Sequence, residues 1–262
     1  MINIHYHTLV AACAGIAVDI RSGVIAAAGV LAIVISPAAG SDWLATSPPL
    51  AMSASAVMPA VQKMHARVAE FGANTPSPDV RHVANWVADS RDNSGADFVI
   101  IDKIHARVYV FDVDARLRAS AAVLLGAARG DDSVPGIGLR PIAEVLPQER
   151  TTPAGRFIAE RGHNTRGEDV VWVDYDAAVS MHRVLTTNLE ERRLERLATP
   201  SVEDNRISYG CINVPVVFYE SYIRPIFAAR RAVVYVLPEV KPVRQVFGSY
   251  DIILAPGVVS RP

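Results

Sequence analysis

Cysteine is scarce in this sequence, and so is any surplus of charge of one sign. Its 262 residues include 2 cysteines, and 26 basic residues are balanced by 27 acidic ones, for a net charge of −1. A general nucleic-acid-binding protein carries a basic surplus or a basic stripe, so nucleic acid is not expected as a partner. With 16 glycines, 17 prolines and 50% hydrophobic residues, the composition excludes collagen-like, coiled-coil and disordered chains. A globular protein of one or two domains remains.

The N-terminal region lacks an apolar run long enough to cross a membrane. The run Val24–Ile35 has 12 residues, follows Arg21, and is followed by Pro37 and small residues. A spanning helix needs about 20 apolar residues, whereas the core of a signal peptide needs about 7–15. We therefore expect residues 1–40 to be a cleaved signal peptide, with an uncleaved N-terminal anchor or a start codon assigned too early as alternatives. Export would place the protein in the periplasm or cell envelope, with membrane contact only through an uncleaved leader.

Export changes what the two cysteines, Cys13 and Cys211, can do. Cleavage near residue 40 removes Cys13, so no disulfide can form within the mature chain. A lone thiol in an oxidising compartment is a liability unless it is buried, bonded to another chain or used in chemistry.

The region that follows, residues 41–95, is predicted to contain a linker and two short helices. The linker is rich in Ser, Ala, Pro and Met. Helices are expected over residues 59–71, which end before a glycine, and 79–89, where apolar residues recur at i, i+3, i+4 and i+7.

Residues 96–240 change to a period of two, which predicts a β domain, and residues 241–262 form a C-terminal tail. Strands are predicted over residues 97–102, 107–112, 117–125, 156–160, 170–174 and 232–237. Helical patterns appear at 188–197 and 217–229. Because strands do not alternate with long helices, we expect a mainly β fold, a largely antiparallel sandwich or barrel with a few short peripheral helices.

The strongest chemical signal is the stretch Arg206–Pro215, which surrounds the mature thiol with Ser208, Gly210 and Asn213. We expect Cys211 at a loop-to-helix junction, where backbone N–H groups and a helix N-terminus favour thiolate over thiol. A neighbouring glycine lets a substrate carbonyl approach the backbone closely, and N–H groups there can stabilise an oxyanion. The alternative is that the thiol is a small buried hydrophobic group.

A cysteine nucleophile needs a base, because a thiol with a pKa of about 8.5 is only a few per cent ionised at neutral pH. Five histidines remain after residue 40: His65, His82, His105, His163 and His182. The first three are most simply exposed on helices or in a hairpin connection. His182, at the end of a predicted strand, and His163, in a loop after a strand, are the candidates, and spacing does not separate them.

Three ordered segments resemble the catalytic domain of the L,D-transpeptidase (YkuD-type) family. The first is Ser-Tyr-Gly-Cys-Ile-Asn at residues 208–213 with His182 upstream, similar to the family's histidine followed by Ser/Thr-His-Gly-Cys, a hydrophobic residue and Asn or Arg. The second is Thr-Thr-Pro-Ala-Gly-Arg-Phe at residues 151–157. The third is the predicted strand pair at residues 98–102 and 107–112, which contains Ile-Ile-Asp-Lys at residues 100–103, and the resemblance covers about residues 97–237.

The resemblance implies a cysteine-dependent transpeptidase that acts on peptidoglycan stem peptides, without metal or organic cofactor. Cys211 would attack the carbonyl between the third and fourth residues of a tetrapeptide and release D-Ala. His182, with its ring held by the backbone carbonyl of Arg183, would be the base. The N–H groups near Gly210 and Cys211 would bind the oxyanion, and Ser208 would hydrogen-bond the site. The thioester would pass to an amine of a neighbouring stem or of a lipoprotein.

Residues around the nucleophile are expected to bind the stem peptide. Arg206 and Asn213 are candidates for contacts with its carboxylates and amides. Tyr209 stands where the family has a histidine, and its phenol can also donate a hydrogen bond. The charged stretch at 188–197 lengthens the connection between the histidine and the cysteine, as a lid over the thiol or as a surface insertion.

Two other functions are compatible with the same residues. Water in place of the amine would make the protein a hydrolase of peptidoglycan or of a lipoprotein linkage. The change of the internal histidine to Tyr209 also allows a wall-binding module without catalysis.

Overall fold

An eight-stranded sheet forms the body of the computed structural model, which describes residues 66–229 and 231–253. The strands are β1 (Phe98–Asp102), β2 (Arg107–Phe111), β3 (Leu117–Ala122), β4 (Leu125–Gly126), β5 (Gly155–His163), β6 (Asp169–Asp174), β7 (Val179–Arg183), β8 (Arg206–Ser208), β9 (Ile212–Val214) and β10 (Ala232–Val236). Their order in the sheet is β3-β2-β1-β10-β5-β6-β7-β9, and β4 pairs with β8 in a small second sheet. Within the large sheet, β1–β10 and β7–β9 are parallel and the other pairs antiparallel.

The two ends of the large sheet meet. Its outermost strands are β3 and β9, and Leu124, just after β3, forms an antiparallel bridge with Asn213 of β9. Leu124 N donates to Asn213 O and Asn213 N donates to Leu124 O, both at 2.9 Å. The sheet is therefore nearly closed into a barrel, a closure that satisfies polar groups at its edges. The mainly β fold predicted from the sequence is confirmed.

Side chains that alternate across β1 contribute to two hydrophobic cores. Val99 and Ile101 belong to the core inside the barrel, whereas Phe98 and Ile100 belong to a second core beneath the first helix, α1 (Pro78–Ser90). All five residues of β1 are buried, as the strand is covered on both faces. The helix adds its apolar stripe to the second core through Val80, Val83, Ala84 and Val87.

The remaining helical elements are short. They are α2 (Arg193–Ala198), α3 (Val216–Phe218), a π-helical turn (Tyr219–Ile223), α4 (Arg224–Ala229) and α5 (Val243–Phe247), with 3₁₀ turns at Ile137–Leu139, Ile142–Glu144, Pro147–Glu149, Leu189–Glu191 and Val202–Asn205. The patterns predicted as helical at 79–89, 188–197 and 217–229 correspond to α1, to a 3₁₀ turn plus α2, and to the stretch from α3 to α4. Among the described residues no helix is both long and apolar enough to span a membrane.

The ends of α1 follow from local sequence. Ser77 caps the N-terminus by accepting a hydrogen bond from Val80 N at 3.3 Å, and Pro78 occupies the first turn, where no N–H is needed. Arg91 ends the helix in the left-handed conformation at φ 56°.

The helix predicted over residues 59–71 is wrong where it can be checked. Residues 59–65 lie outside the described part of the chain, as do the predicted leader (1–40) and linker, but the described end is extended. Glu70 N donates to Ala115 O at 3.0 Å, and Leu117 N donates to Glu70 O at 2.8 Å. Pairing with a distant segment thus overrides the local helical pattern.

The described part of the predicted tail (241–262) packs against the domain. Within its described portion, up to residue 253, α5 buries Val243 in the second core and packs Phe247 against it. The Phe247 ring lies 5.9 Å from that of Tyr235 in β10. These residues therefore extend the β domain beyond residue 240.

Candidate active site

The parallel strands β7 and β9 bring the predicted site residues to one place. Their register pairs His182 with Asn213 and Met181 with Ile212. Met181 and Ile212 both fill the core inside the barrel. Since neighbouring side chains along a strand point to opposite faces, His182 and Asn213 share the face directed away from that core.

Cys211 immediately precedes β9, on the same alternation as Asn213. Its Sγ lies 3.7 Å from Ser180 Oγ and 3.8 Å from Ala178 O, and the residue is 7% exposed. The predicted loop-to-helix junction is wrong, because strand β9 follows the cysteine and α3 begins only at Val216. The thiol is therefore placed beside a hydroxyl of β7 and not at the start of a helix.

The ring of His182 is fixed by the backbone. Its Nδ1 lies 2.7 Å from Arg183 O, the contact implied by the family resemblance. A carbonyl oxygen can only accept, so Nδ1 carries the proton and Nε2 is the basic nitrogen. His163 instead lies exposed at the end of β5, opposite Asp169, and β5 is not adjacent to β9. Strand order thus favours His182 as the partner of Cys211.

Ser208 holds the turn that leads into the cysteine. Its Oγ donates to Cys211 O at 2.6 Å and accepts from Gly210 N at 3.1 Å, and the residue is buried. Both bonds lie within the turn around the nucleophile, as expected for Ser208, and its part in catalysis stays a prediction. The Gly210 N–H is used within the turn, and the predicted oxyanion binding by N–H groups near Gly210 and Cys211 stays a prediction.

Gly210 allows the segment at residues 151–157 to approach the nucleophile. Its φ is +130°, and a Cβ there would lie 2.7 Å from Thr151 O. Thr152 Oγ1 donates to Gly210 O at 2.9 Å and accepts from Gly126 N at 2.9 Å. Two of the segments that carry the family resemblance are thus in direct contact.

A buried lysine joins the third segment to the second. Lys103 Nζ donates to Thr152 O at 2.9 Å, to Asp131 Oδ1 at 2.8 Å and to Gly130 O at 2.5 Å. Burial lowers the pKa of Lys103. Burial acts to raise the pKa of Asp131, but hydrogen bonds from Lys103 and from backbone N–H groups outweigh it and lower that pKa to about 2. Lys103 therefore links the carbonyl oxygen of Thr152 to the carboxylate of Asp131.

Arg206 does not face a substrate. Its side chain is 6% exposed, pairs with Glu239 at 2.6 Å and donates to Lys103 O at 2.7 Å. The substrate-binding role predicted for Arg206 is therefore wrong, because its guanidinium group is taken up by the buried network.

Asn213 is fully buried, which contradicts its predicted role in substrate binding. Its Nδ2 donates to Cys211 O at 3.3 Å, and its Oδ1 accepts from Arg193 Nη1 at 2.6 Å. Arg193 belongs to the charged segment, residues 188–197. That segment therefore reaches the site and is not a plain surface insertion.

Tyr209 is 37% exposed, and its ring stacks against the guanidinium of Arg150, with 4.0 Å between the guanidinium carbon and the ring centroid. Of the predicted substrate-binding residues it is the one whose side chain reaches solvent. Contact with a substrate through Tyr209 stays a prediction.

A cavity of about 350 Å³ opens beside His182. Its lining consists of Gly167, Glu168, Asp169, Val170, His182, Arg183 and Leu185. Burial acts to raise the pKa of Asp169, but hydrogen bonding to Arg183 outweighs it and the pKa lies below its ordinary value. The cavity offers room for a ligand next to the proposed base.

Four residues of the site were missed from sequence: Ser180, Thr152, Lys103 and Arg193. Ser180 could have been found, because it precedes His182 by two positions and must share its face of the strand. Thr152 and Lys103 lie within segments that carry the resemblance, although neither was assigned a role. Nothing in the sequence pattern connects Arg193 with Asn213, 20 residues further along the chain.

The fold and these contacts define a mainly β protein in which Cys211, just before β9, and His182, on the adjacent parallel strand β7, lie on one face of the sheet. In the described part of the chain no group of three or more His, Cys, Asp or Glu side chains is arranged to hold a metal ion. No protein-family model and no curated protein matches the sequence.

Solved structures offer only distant resemblances. The helical cell shape determining protein Pgp2 from Campylobacter jejuni matches with 17% identity over 60% of this chain and 55% of that one, at a TM-score of 0.37. Its K307A mutant matches with 14% identity, coverages of 64% and 58% and a TM-score of 0.36. A fused Zn-dependent amidase/peptidase/peptidoglycan-binding domain-containing protein from Clostridium acetobutylicum ATCC 824 matches with 16% identity, coverages of 62% and 63% and a TM-score of 0.32. The chain thus spans less than two thirds of each structure, and TM-scores this low do not establish a family.

Proposed function

We propose that the protein is a cysteine acyltransferase of the cell envelope, an L,D-transpeptidase that acts on peptidoglycan stem peptides. The observation that carries the proposal is the pairing of β7 with β9. In this pairing His182 lies on the same sheet face as Cys211, and its Nδ1 is bonded to a carbonyl, which supports Nε2 as the base. A thiol, an oriented imidazole and a supporting hydroxyl are the parts that nucleophilic catalysis by cysteine requires.

The reaction proceeds in two acyl-transfer steps. His182 Nε2 takes the thiol proton, and Sγ of Cys211 attacks the carbonyl carbon between the third and fourth residues of the stem. The peptide bond breaks, and the proton from His182 goes to the amine of the leaving D-Ala. A neighbouring stem amine, or an amine of a lipoprotein, then attacks the thioester, loses a proton to His182 and restores the thiol.

The tertiary contacts support the assignment of this activity to the three segments that resemble the family. Thr152 from the second segment bonds the carbonyl of Gly210 in the first, and Lys103 from the third bonds the carbonyl of Thr152. Segments separated by 49 and 58 residues thus meet directly behind the nucleophile.

Mass spectrometry of purified stem tetrapeptide incubated with the protein tests the proposal. We expect release of D-Ala and a cross-linked dimer, and neither product with Cys211→Ala. Release of D-Ala with tripeptide as the sole other product would assign hydrolysis instead of transfer. Unchanged tetrapeptide, with retention of the peptide on the protein, would assign a binding module and overturn the proposal.

A further inference from the structure

The charged segment is fastened to the loop that carries the nucleophile. Arg196 Nη1 donates to Asp204 O at 3.1 Å, and its Nε donates to Glu191 O at 2.8 Å. Asp204 lies two residues before β8, the strand that leads into the Ser208 turn. The segment is therefore joined to the chain just upstream of Cys211.

A second attachment lies just downstream of the nucleophile. Arg193 Nη1 donates to Asn213 Oδ1 at 2.6 Å, and its Nε donates to Glu191 Oε2 at 2.5 Å. The Arg193 side chain is 11% exposed, whereas that of its neighbour Arg192 is 68% exposed and pairs with Glu195 at the surface. Of two adjacent arginines, one is thus buried against the site and the other is not.

The side-chain amide of Asn213 links Arg193 to the backbone of Cys211. Its amide is fully buried, so the orientation of oxygen and nitrogen is set by its partners. A guanidinium group only donates, so it fixes Oδ1 toward Arg193 and leaves Nδ2 directed at Cys211 O, 3.3 Å away. The backbone of Asn213 is held at the same time by Leu124.

We infer that Arg193 is a positioning residue for Cys211, acting through the side-chain amide of Asn213. The inference rests on the proposed function only in taking Cys211 as the nucleophile. Because the guanidinium is charged and poorly exposed, its hydrogen bond belongs to the stronger class and holds the amide in one orientation. The charged segment, residues 188–197, then crosses the loop that carries Cys211, and Arg193 is the residue through which it positions the cysteine.

Alkylation by iodoacetamide at pH 7 tests the inference, followed at Cys211 by peptide mass spectrometry because the full chain also contains Cys13. We expect Arg193→Gln to react about tenfold more slowly than the wild type, as loss of one charge-assisted hydrogen bond implies. The matched control Arg192→Gln should react at the wild-type rate. Since one guanidinium nitrogen reaches Asn213, Arg193→Lys keeps a donor and should restore most of the rate.

A double-mutant cycle separates positioning from general destabilisation. In an Asn213→Ala background, Arg193→Gln should change the rate by less than about twofold, since the path to Cys211 is already broken. Thermal unfolding of each variant identifies any that do not fold, and Arg193→Lys then remains as the informative comparison. Equal rates for Arg193→Gln and Arg192→Gln, a Lys variant as slow as the Gln variant, or additive effects in the cycle would each overturn the inference.

The alkylation rate of Cys211 in the wild-type protein shows whether the inference or the proposed function fails. If Cys211 in the folded wild type reacts no faster than the same thiol in denatured chain, the proposed function fails. If it reacts faster and Arg193→Gln does not slow it, only the inference fails.

Discussion

The hydroxyl of Ser180 lies 3.7 Å from the sulfur of Cys211, across the parallel pair β7–β9. The hydroxyl is buried and lies where it could donate a hydrogen bond to the sulfur. In the proposed function this hydroxyl takes the part that the sequence analysis gave to a helix N-terminus. The group beside the sulfur is the side chain of Ser180 on β7, whereas the sequence suggested backbone N–H groups at a helix N-terminus.

Ser180→Ala removes this donor. We expect Cys211 to be alkylated about tenfold more slowly at pH 7, because a hydrogen bond to a charged group contributes about 1.5–3 kcal/mol. The measurement is the rate of iodoacetamide labelling at Cys211, with Ser221→Ala, an exposed serine in the π-helical turn, as the control. Equal rates for the two variants would show that Ser180 does not stabilise the thiolate.

Gly210→Ala should destabilise the domain. The new Cβ would lie 2.7 Å from Thr151 O in a backbone conformation, φ +130°, that favours glycine. We expect a loss of about 2–4 kcal/mol in the free energy of unfolding, measured by urea titration. Gly167→Ala is the matched control, because its φ is +78° but a Cβ there meets nothing within 4 Å. Equal losses for both variants would mean that the contact with Thr151 has no cost of its own.

Lys103→Met tests the buried network behind the site. In the wild type, Lys103 Nζ lies 2.8 Å from Asp131 Oδ1. The substitution leaves the carboxylate of Asp131 buried without this ammonium partner. Breaking a buried ion pair by removing one partner costs about 3–5 kcal/mol. Urea titration at pH 7 measures this loss, and a change within about 0.5 kcal/mol would contradict the account of the network.

Acid should weaken the same network in the wild-type protein. The pKa of Asp131 is lowered to about 2 in the folded state, against about 3.9 for an ordinary aspartate. The folded state therefore gains stability above pH about 4, and that gain is lost as the pH falls toward about 2. Urea titrations between pH 2 and 5 should show a shallower decline in Asp131→Asn than in the wild type. Parallel declines would argue against this carboxylate as a source of acid sensitivity.

Local patterns of apolar residues predicted the helices and strands that are long enough to show a period. The stripe in α1 and the alternation in β1 and β2 gave the correct types and nearly the correct bounds. The strands β8 and β9 have three residues each, too few for a periodic signal, and so the surroundings of Cys211 were predicted as loop and helix.

The roles of polar side chains were harder to predict than the fold. Arg206 and Asn213 lie next to the nucleophile in sequence, but their partners are Glu239 and Arg193, which only tertiary structure brings near. The exposed ring of Tyr209 keeps its predicted role open, whereas burial decides against the other two.

The central claim is that His182 is the base for Cys211, and acylation by a carbapenem-type β-lactam tests it most directly. Intact-protein mass spectrometry would follow the adduct in the wild type, in His182→Ala and in the control His163→Ala, with Cys211→Ala as the blank. We predict no adduct in the blank, a wild-type rate for His163→Ala, and a rate at least about 100-fold lower for His182→Ala. An unchanged rate in His182→Ala would contradict the account, and a loss confined to His163→Ala would transfer the role of base to that residue.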